Sequence, residues 1–218
     1  MNINYQRSLF AKRKCSSLLL LISMVLSFTA YAQDRNKEVD VAYGKLLTYL
    51  PENAQLIHVP YADKLEYYGS NIVSERFEDE DVTGGKLLRL NVLKASKNPW
   101  DDAVTAGVGG EIKKGDTVYM MFWGRIAPDD PKNDQVSLPD AGLQKGAPPY
   151  NKLMSDNIIL TRGWQTFAMA GVADQDYGAY GTQISFPVST GAHIIDFGPV
   201  FIFNLGKDID IKSLPFMN

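Results

Sequence analysis

The apolar residues in the middle of the chain recur with period two. Leu88, Leu90 and Val92 share one face of a segment whose other face carries Leu87, Arg89, Asn91 and Leu93, which is the spacing of a half-buried strand. Thr117 to Arg125 repeats it after a Gly115-Asp116 turn, with Val118, Met120 and Phe122 on one face and Tyr119, Met121, Trp123 and Arg125 on the other. Shorter runs at 71–77, 135–138, 158–160, 164–170, 182–188 and 193–203, separated by Gly, Pro, Asn and Asp clusters, predict further strands joined by turns. The period changes between Asp40 and Leu50, where Val41, Leu46, Leu47 and Leu50 follow a helix-like spacing that Pro51 stops. Many short strands and one short N-terminal helix predict an all-β fold, a jelly-roll β-sandwich of the galactose-binding-domain type. Leu88, Leu90, Val118, Met120, Phe122, Ile184 and Phe186 are its expected core.

The N-terminus follows a different logic. Arg7, Lys12, Arg13 and Lys14 precede the apolar stretch Leu18 to Phe28, and Ala30-Tyr31-Ala32 supplies a small-x-small pattern. Residues 1–32 therefore read as a signal peptide cleaved before Gln33, which predicts a secreted or periplasmic protein with no membrane insertion after cleavage. A membrane anchor is the alternative, but the uncharged stretch from Cys15 to Ala32 is only marginally long enough to span a bilayer. Residues 33–40 read as a flexible polar segment, 41–206 as the domain and 207–218 as a C-terminal tail. Cleavage removes Cys15, the only cysteine, so the mature domain has no disulfide and no thiol to serve as nucleophile or metal ligand. It also removes four of the 22 basic residues and none of the 25 acidic ones, leaving a formal charge of −7. That balance argues against nucleic acid and anionic membrane surfaces, which need a basic footprint, and favours a neutral ligand.

The face carrying Tyr119, Trp123 and Arg125 is unusual for a sandwich strand, whose outer face normally meets water. Rings placed there either lie under a covering segment or form a platform for a ligand.

Five pieces of the chain resemble one family. Asn98-Pro99-Trp100-Asp101, Lys113-Lys114-Gly115-Asp116, Phe122-Trp123-Gly124-Arg125, Ala147-Pro148-Pro149-Tyr150 and Trp164-Gln165-Thr166-Phe167, followed by the closing strands over 183–188 and 194–205, are similar in order and spacing to carbohydrate-binding modules. The modules concerned are those of families 4/9 and 22, as found N-terminal to family 10 xylanase-like catalytic domains. The resemblance implies a non-catalytic jelly roll whose concave face or loop edge binds polysaccharide or oligosaccharide, often with a structural calcium ion, and implies a glycoside hydrolase, separately encoded here, as a partner. It assigns ligand contacts to Trp100 with Asp101 and to Trp123 with Arg125. Where family 22 modules bring a Tyr and a Glu on a late strand, this chain has Gln183 and Ser185, so Tyr177 or Tyr180 is expected to supply the second ring. A pyranose offers an apolar C–H face and a rim of hydroxyls, and rings surrounded by fixed donors and acceptors are what binds it.

Other chemistry has less support. His58 and His193 lie far apart, no serine sits in a Gly-x-Ser-x-Gly elbow, and the Glu-x-Asp-x-x-Glu strand pattern of jelly-roll glucanases is absent. A small glycan-active hydrolase is accordingly the weakest alternative, after a structural or protein-interaction jelly roll of an envelope assembly. The run Glu78-Asp79-Glu80-Asp81 reads as a solvated turn, with calcium ligation as its alternative. Asp196 lies inside an apolar strand and needs a partner, either a structural cation or a backbone hydrogen bond. Trp164, opening a strand with Phe167, is read as core.

Overall fold

The structure is a computed structural model and describes residues 40–217. The expected signal peptide and most of the segment after it lie outside the described residues. A helix occupies residues 40–47 and turns off before Pro51, three residues earlier than the apolar spacing alone predicts. Among the described residues, no helix is long and apolar enough to cross a membrane.

Eleven strands follow among the described residues. In chain order they are β1 (Gln55–Leu56), β2 (Glu66–Tyr68), β3 (Ile72–Glu78), β4 (Lys86–Val92), β5 (Ala103–Val108), β6 (Thr117–Ile126), β7 (Val136–Lys145), β8 (Lys152–Leu160), β9 (Gln165–Val172), β10 (Thr182–Pro187) and β11 (His193–Asn204). They pair antiparallel in two sheets: β3-β4-β11-β6-β9, with β1 added beside β11, and β2-β5-β10-β7-β8. The sheets face each other across one apolar core, and the fold is a jelly-roll β-sandwich. Every core residue expected from the alternation is fully buried there, Leu88 and Leu90 on β4, Val118, Met120 and Phe122 on β6, and Ile184 and Phe186 on β10. Phe186 joins the two layers, its ring centroid 4.6 Å from that of Phe122 and 5.5 Å from that of Phe197.

Two strands run longer than their sequence runs predict. β7 continues past Pro139 because Asp140 takes a left-handed conformation (φ 51°) and the register with β8 shifts between Leu138 and Ala141, a bulge that carries the proline without breaking the ladder. β8 begins at Lys152, six residues before the apolar run at 158–160, and the exposed polar residues Ser155, Asp156 and Asn157 between buried Met154 and Ile158 hide its first part from a hydrophobicity pattern.

The outer face of the six-stranded sheet is covered. Tyr119, Met121, Phe201 and Phe203 are buried there against Leu46 and Leu50 of the N-terminal segment and Leu205 and Leu214 near the C-terminus. The Tyr119 hydroxyl donates to the Pro215 carbonyl at 2.8 Å. Residues 207–217, expected as a tail, thus form part of the packing. Asp210 caps a single 3-10 turn (Ile211–Ser213) by accepting from the Lys212 amide at 3.0 Å.

Candidate functional site

The five-stranded sheet keeps its outer face open. Strand pairing places Thr105 opposite Ser185, and Gln183 opposite Gln144, which in turn lies opposite Lys152. Because side chains alternate, these residues point away from the core that Val104, Ile184 and Leu143 enter. They form the polar floor of a groove of about 840 Å³. Its walls are aromatic: Trp100 is 58% exposed, and Tyr68 and Tyr150 are also exposed.

Each ring is held by its own device. Trp100 sits on a 3-10 turn (Pro99–Asp101) closed by a reciprocal cap, in which the Asp101 carboxylate accepts from the Asn98 amide at 2.9 Å and from the Asn98 side chain at 3.2 Å. The next residue, Asp102, is fully buried and accepts from Ser189, from Ser96 at 2.6 Å and from the Asn71 amide at 2.9 Å, so the loop is tied to the sandwich. Burial would raise the Asp102 pKa, but these donors outweigh it and hold the carboxylate below its ordinary range. The Tyr68 hydroxyl donates to the Trp100 carbonyl at 3.2 Å. Burial, then the nearness of Tyr150, Asp101 and Asp102, pushes the Tyr68 pKa up, so it stays a neutral donor. Tyr150 is in the left-handed region (φ 57°), a strained conformation for a bulky residue and one that collects at functional sites. Lys152 donates its ammonium to the Asp140 carbonyl at 2.7 Å on the far rim.

The residues expected to bind ligand divide between the two sides of the molecule. Trp100, Asp101 and Gln183 line this groove. Trp123 does not: it lies on the covered outer face of the other sheet, edge-on to Phe201 with centroids 5.9 Å apart, beside Val41 and Leu46 of the helix. Arg125 is buried, its guanidinium donating to Asp196 at 2.9 Å and to Asp79 at 2.5 Å while lying 4.4 Å from the Trp164 ring centroid. A platform shared by Trp100 and Trp123 is therefore corrected: the period holds, but the helix and the C-terminal segment cover that face. Trp164, expected in the core, is half-buried as the stacking partner of Arg125. Tyr177 is buried, donating to Asp174 at 2.8 Å. Tyr180 is 74% exposed beside a second cavity.

Asp196 finds its partner in arginine. Arg89 donates to both of its oxygens, at 2.7 and 2.9 Å, and Arg125 to one of them. The register explains this, since Asp196 on the central strand β11 lies opposite Arg89 on one neighbour and Arg125 on the other. Two guanidiniums occupy the carboxylate, which corrects the reading of Asp196 as a calcium ligand. Asp79 of the acidic turn is likewise directed to Arg125, and burial opposing it is outweighed by the Asp81 amide and that guanidinium, which hold its pKa low. Among the described residues, no cluster of three or more His, Cys, Asp or Glu could hold a metal ion.

Tyr68, Thr105, Gln144 and Lys152 are site residues that the sequence pattern does not single out, and Tyr150 appears there only within the run Ala147-Pro148-Pro149-Tyr150, with no role given to it. A signal for Thr105 is present, since Val104, Ala106 and Val108 alternate with it, but the small side chains of β5 weaken the pattern.

No protein-family model matches the sequence, and no curated protein matches it. Among solved structures, one described as "CBM4 structure and function" superposes with a TM-score of 0.51 at 16% identity, over 66% of this chain and 88% of that one. Others are a CBM22-1 xylan-binding domain from Paenibacillus barcinonensis (TM-score 0.49, 8% identity, 72% and 94% covered) and the second N-terminal cellulose-binding domain of a Cellulomonas fimi β-1,4-glucanase (0.47, 16%, 70% and 93%). The likeness to the first of these is one of fold, a jelly-roll β-sandwich.

Proposed function

We propose that the protein is an exported, non-catalytic polysaccharide-binding domain that takes a neutral xylan- or glucan-like chain in the groove of its five-stranded sheet. One observation carries the reading: exposed rings (Tyr68, Trp100, Tyr150) stand around a floor in which Thr105, Gln144, Gln183 and Ser185 offer uncharged donors and acceptors beside the ammonium of Lys152. Rings stack on the C–H faces of sugars and the floor meets their hydroxyls. A stacked sugar that buries roughly 60–100 Å² contributes about 1.5–2.5 kcal/mol at ~25 cal/mol/Å². After the ordering of a flexible chain, dissociation constants of roughly 0.1–1 mM follow. Export rests on the N-terminal pattern of residues 1–32.

The experiment is a paired substitution. Trp100→Ala is expected to weaken retention on insoluble xylan or glucan roughly tenfold or more with an unchanged melting temperature, because the ring lies on the surface. Trp123→Ala is expected to do the reverse, costing about 3 kcal/mol of stability while the folded fraction binds normally. Retention lost with Trp123 and kept without Trp100 contradicts the assignment, and reducing-sugar release by the unmutated protein shows an enzyme instead.

A further inference from the structure

A second cavity of about 1000 Å³ opens on the other side of β5, between that strand and the segment that carries His58 and Tyr61. It adjoins the first groove. Gly107, which lines it, lies directly opposite Gln183 of the groove floor. Lys64 and Glu66 supply a polar rim.

The ring in this cavity is Tyr180. It is 74% exposed and in the left-handed region (φ 59°). One edge of the ring lies along two glycines: a Cβ on Gly107 would stand 3.3 Å from its Cδ1, and one on Gly109 would stand 3.6 Å from its Cζ. The backbone fixes this placement, with the Tyr180 amide donating to the Val108 carbonyl at 2.8 Å and the Gly146 amide to the Gly181 carbonyl at 2.9 Å. Among the described residues, five that are not glycine have positive φ, and three of them (Asp140, Tyr150 and Tyr180) line the two cavities. Strain is therefore concentrated where rings and turns face open space. His58 lines the same cavity, is more than nine-tenths buried, and has an Nε2 with no hydrogen-bond partner.

We propose that this cavity is a second glycan-contact stretch, with Tyr180 as its stacking ring, continuous with the first groove across Gly107 and Gln183. The inference rests on the polysaccharide reading above and narrows it: the ligand is a linear chain long enough to reach both Trp100, just before the start of β5, and Tyr180, beside its end at Val108. Short oligosaccharides fill one stretch, and affinity rises again when the chain reaches the second.

Calorimetric titration of the full chain with xylo- and cello-oligosaccharides, from disaccharide to octasaccharide, tests this. For the unmutated protein, affinity is expected to climb in two steps with length. Tyr180→Ala is expected to remove the second step, lowering affinity for the longest chains on the order of tenfold and leaving the shortest unchanged. Tyr180→Phe is expected to keep both steps, and Tyr180→Gly to lose the second while melting no earlier, because glycine accepts the positive φ. Equal affinity of Tyr180→Ala and the unmutated protein for long chains overturns the second stretch and leaves the first groove standing. Absence of binding at every length overturns both.

Discussion

Asp196→Ala is expected to be the most damaging single substitution in the domain, lowering stability by about 3–5 kcal/mol. The carboxylate is fully buried between Arg89 and Arg125, and its loss leaves two guanidiniums with one fewer anion in a largely dry setting. Asp129 at 2.9 Å from Arg89 and Asp79 beside Arg125 remain, which keeps the cost from rising further. Against a typical total of about 5–15 kcal/mol, the loss removes a large share of stability. Asp196→Asn keeps the shape but not the charge and is expected to fall between. Urea midpoints check this, and a midpoint for Asp196→Ala within experimental scatter of the unmutated value contradicts the network's role.

The second large effect is a loss of stability in mild acid. His58 and His193 are both buried, and desolvation lowers each pKa from 6.5 to about 4. A backbone hydrogen bond to Gly107 offsets this in part for His58; the charge of Asp130 and a backbone bond to Val188 do so for His193. As pH falls through 6.5 the unfolded chain takes up two protons that the folded one refuses, so stability declines between pH 6.5 and about 4 and is fully present above that window. Each tenfold change in proton concentration across the window is worth about 1.4 kcal/mol per site, so each histidine contributes on the order of 3 kcal/mol to the loss. A further decline follows below pH 3.8: burial opposes ionisation of Asp130, but the amides of Lys132, Asn133 and Ile194 outweigh it and hold the pKa at about 2. Urea midpoints across pH are expected to fall through the first window and to flatten there in His58→Gln with His193→Gln. A midpoint that stays level between pH 6.5 and 4 in the unmutated protein contradicts this account.

Most of the core could be read from sequence because large apolar side chains recur with period two on β4, β6 and β10, on β10 against the polar neighbours Gln183 and Ser185. The outer face of β6 was harder. Tyr119, Trp123 and Arg125 declared that this face is not bare, but whether a ligand or the chain itself covers it depends on where a helix far upstream and a segment far downstream come to rest. Asp196 posed the same difficulty: the strand showed that it needs a partner, and only the pairing of β11 with β4 and β6 shows that Arg89 and Arg125 provide it. The groove was half legible, through Trp100, Asp101 and Gln183. Thr105 stands on a strand of small residues, Gln144 and Lys152 on polar stretches, Tyr68 on the short exposed strand β2, and Tyr150 in the loop between β7 and β8, where burial leaves little mark on the pattern.

The most direct test of glycan binding on the five-stranded sheet uses the three tryptophans as reporters. Trp100 is in the groove, while Trp123 and Trp164 are on the other sheet's covered side. Titrating soluble xylan or β-glucan oligosaccharide into isotopically labelled protein and following the indole N–H resonances by NMR is expected to shift the Trp100 signal progressively and to leave those of Trp123 and Trp164 in place. Movement of Trp123 or Trp164 with Trp100 unmoved, or no movement of any indole at saturating sugar, would contradict it.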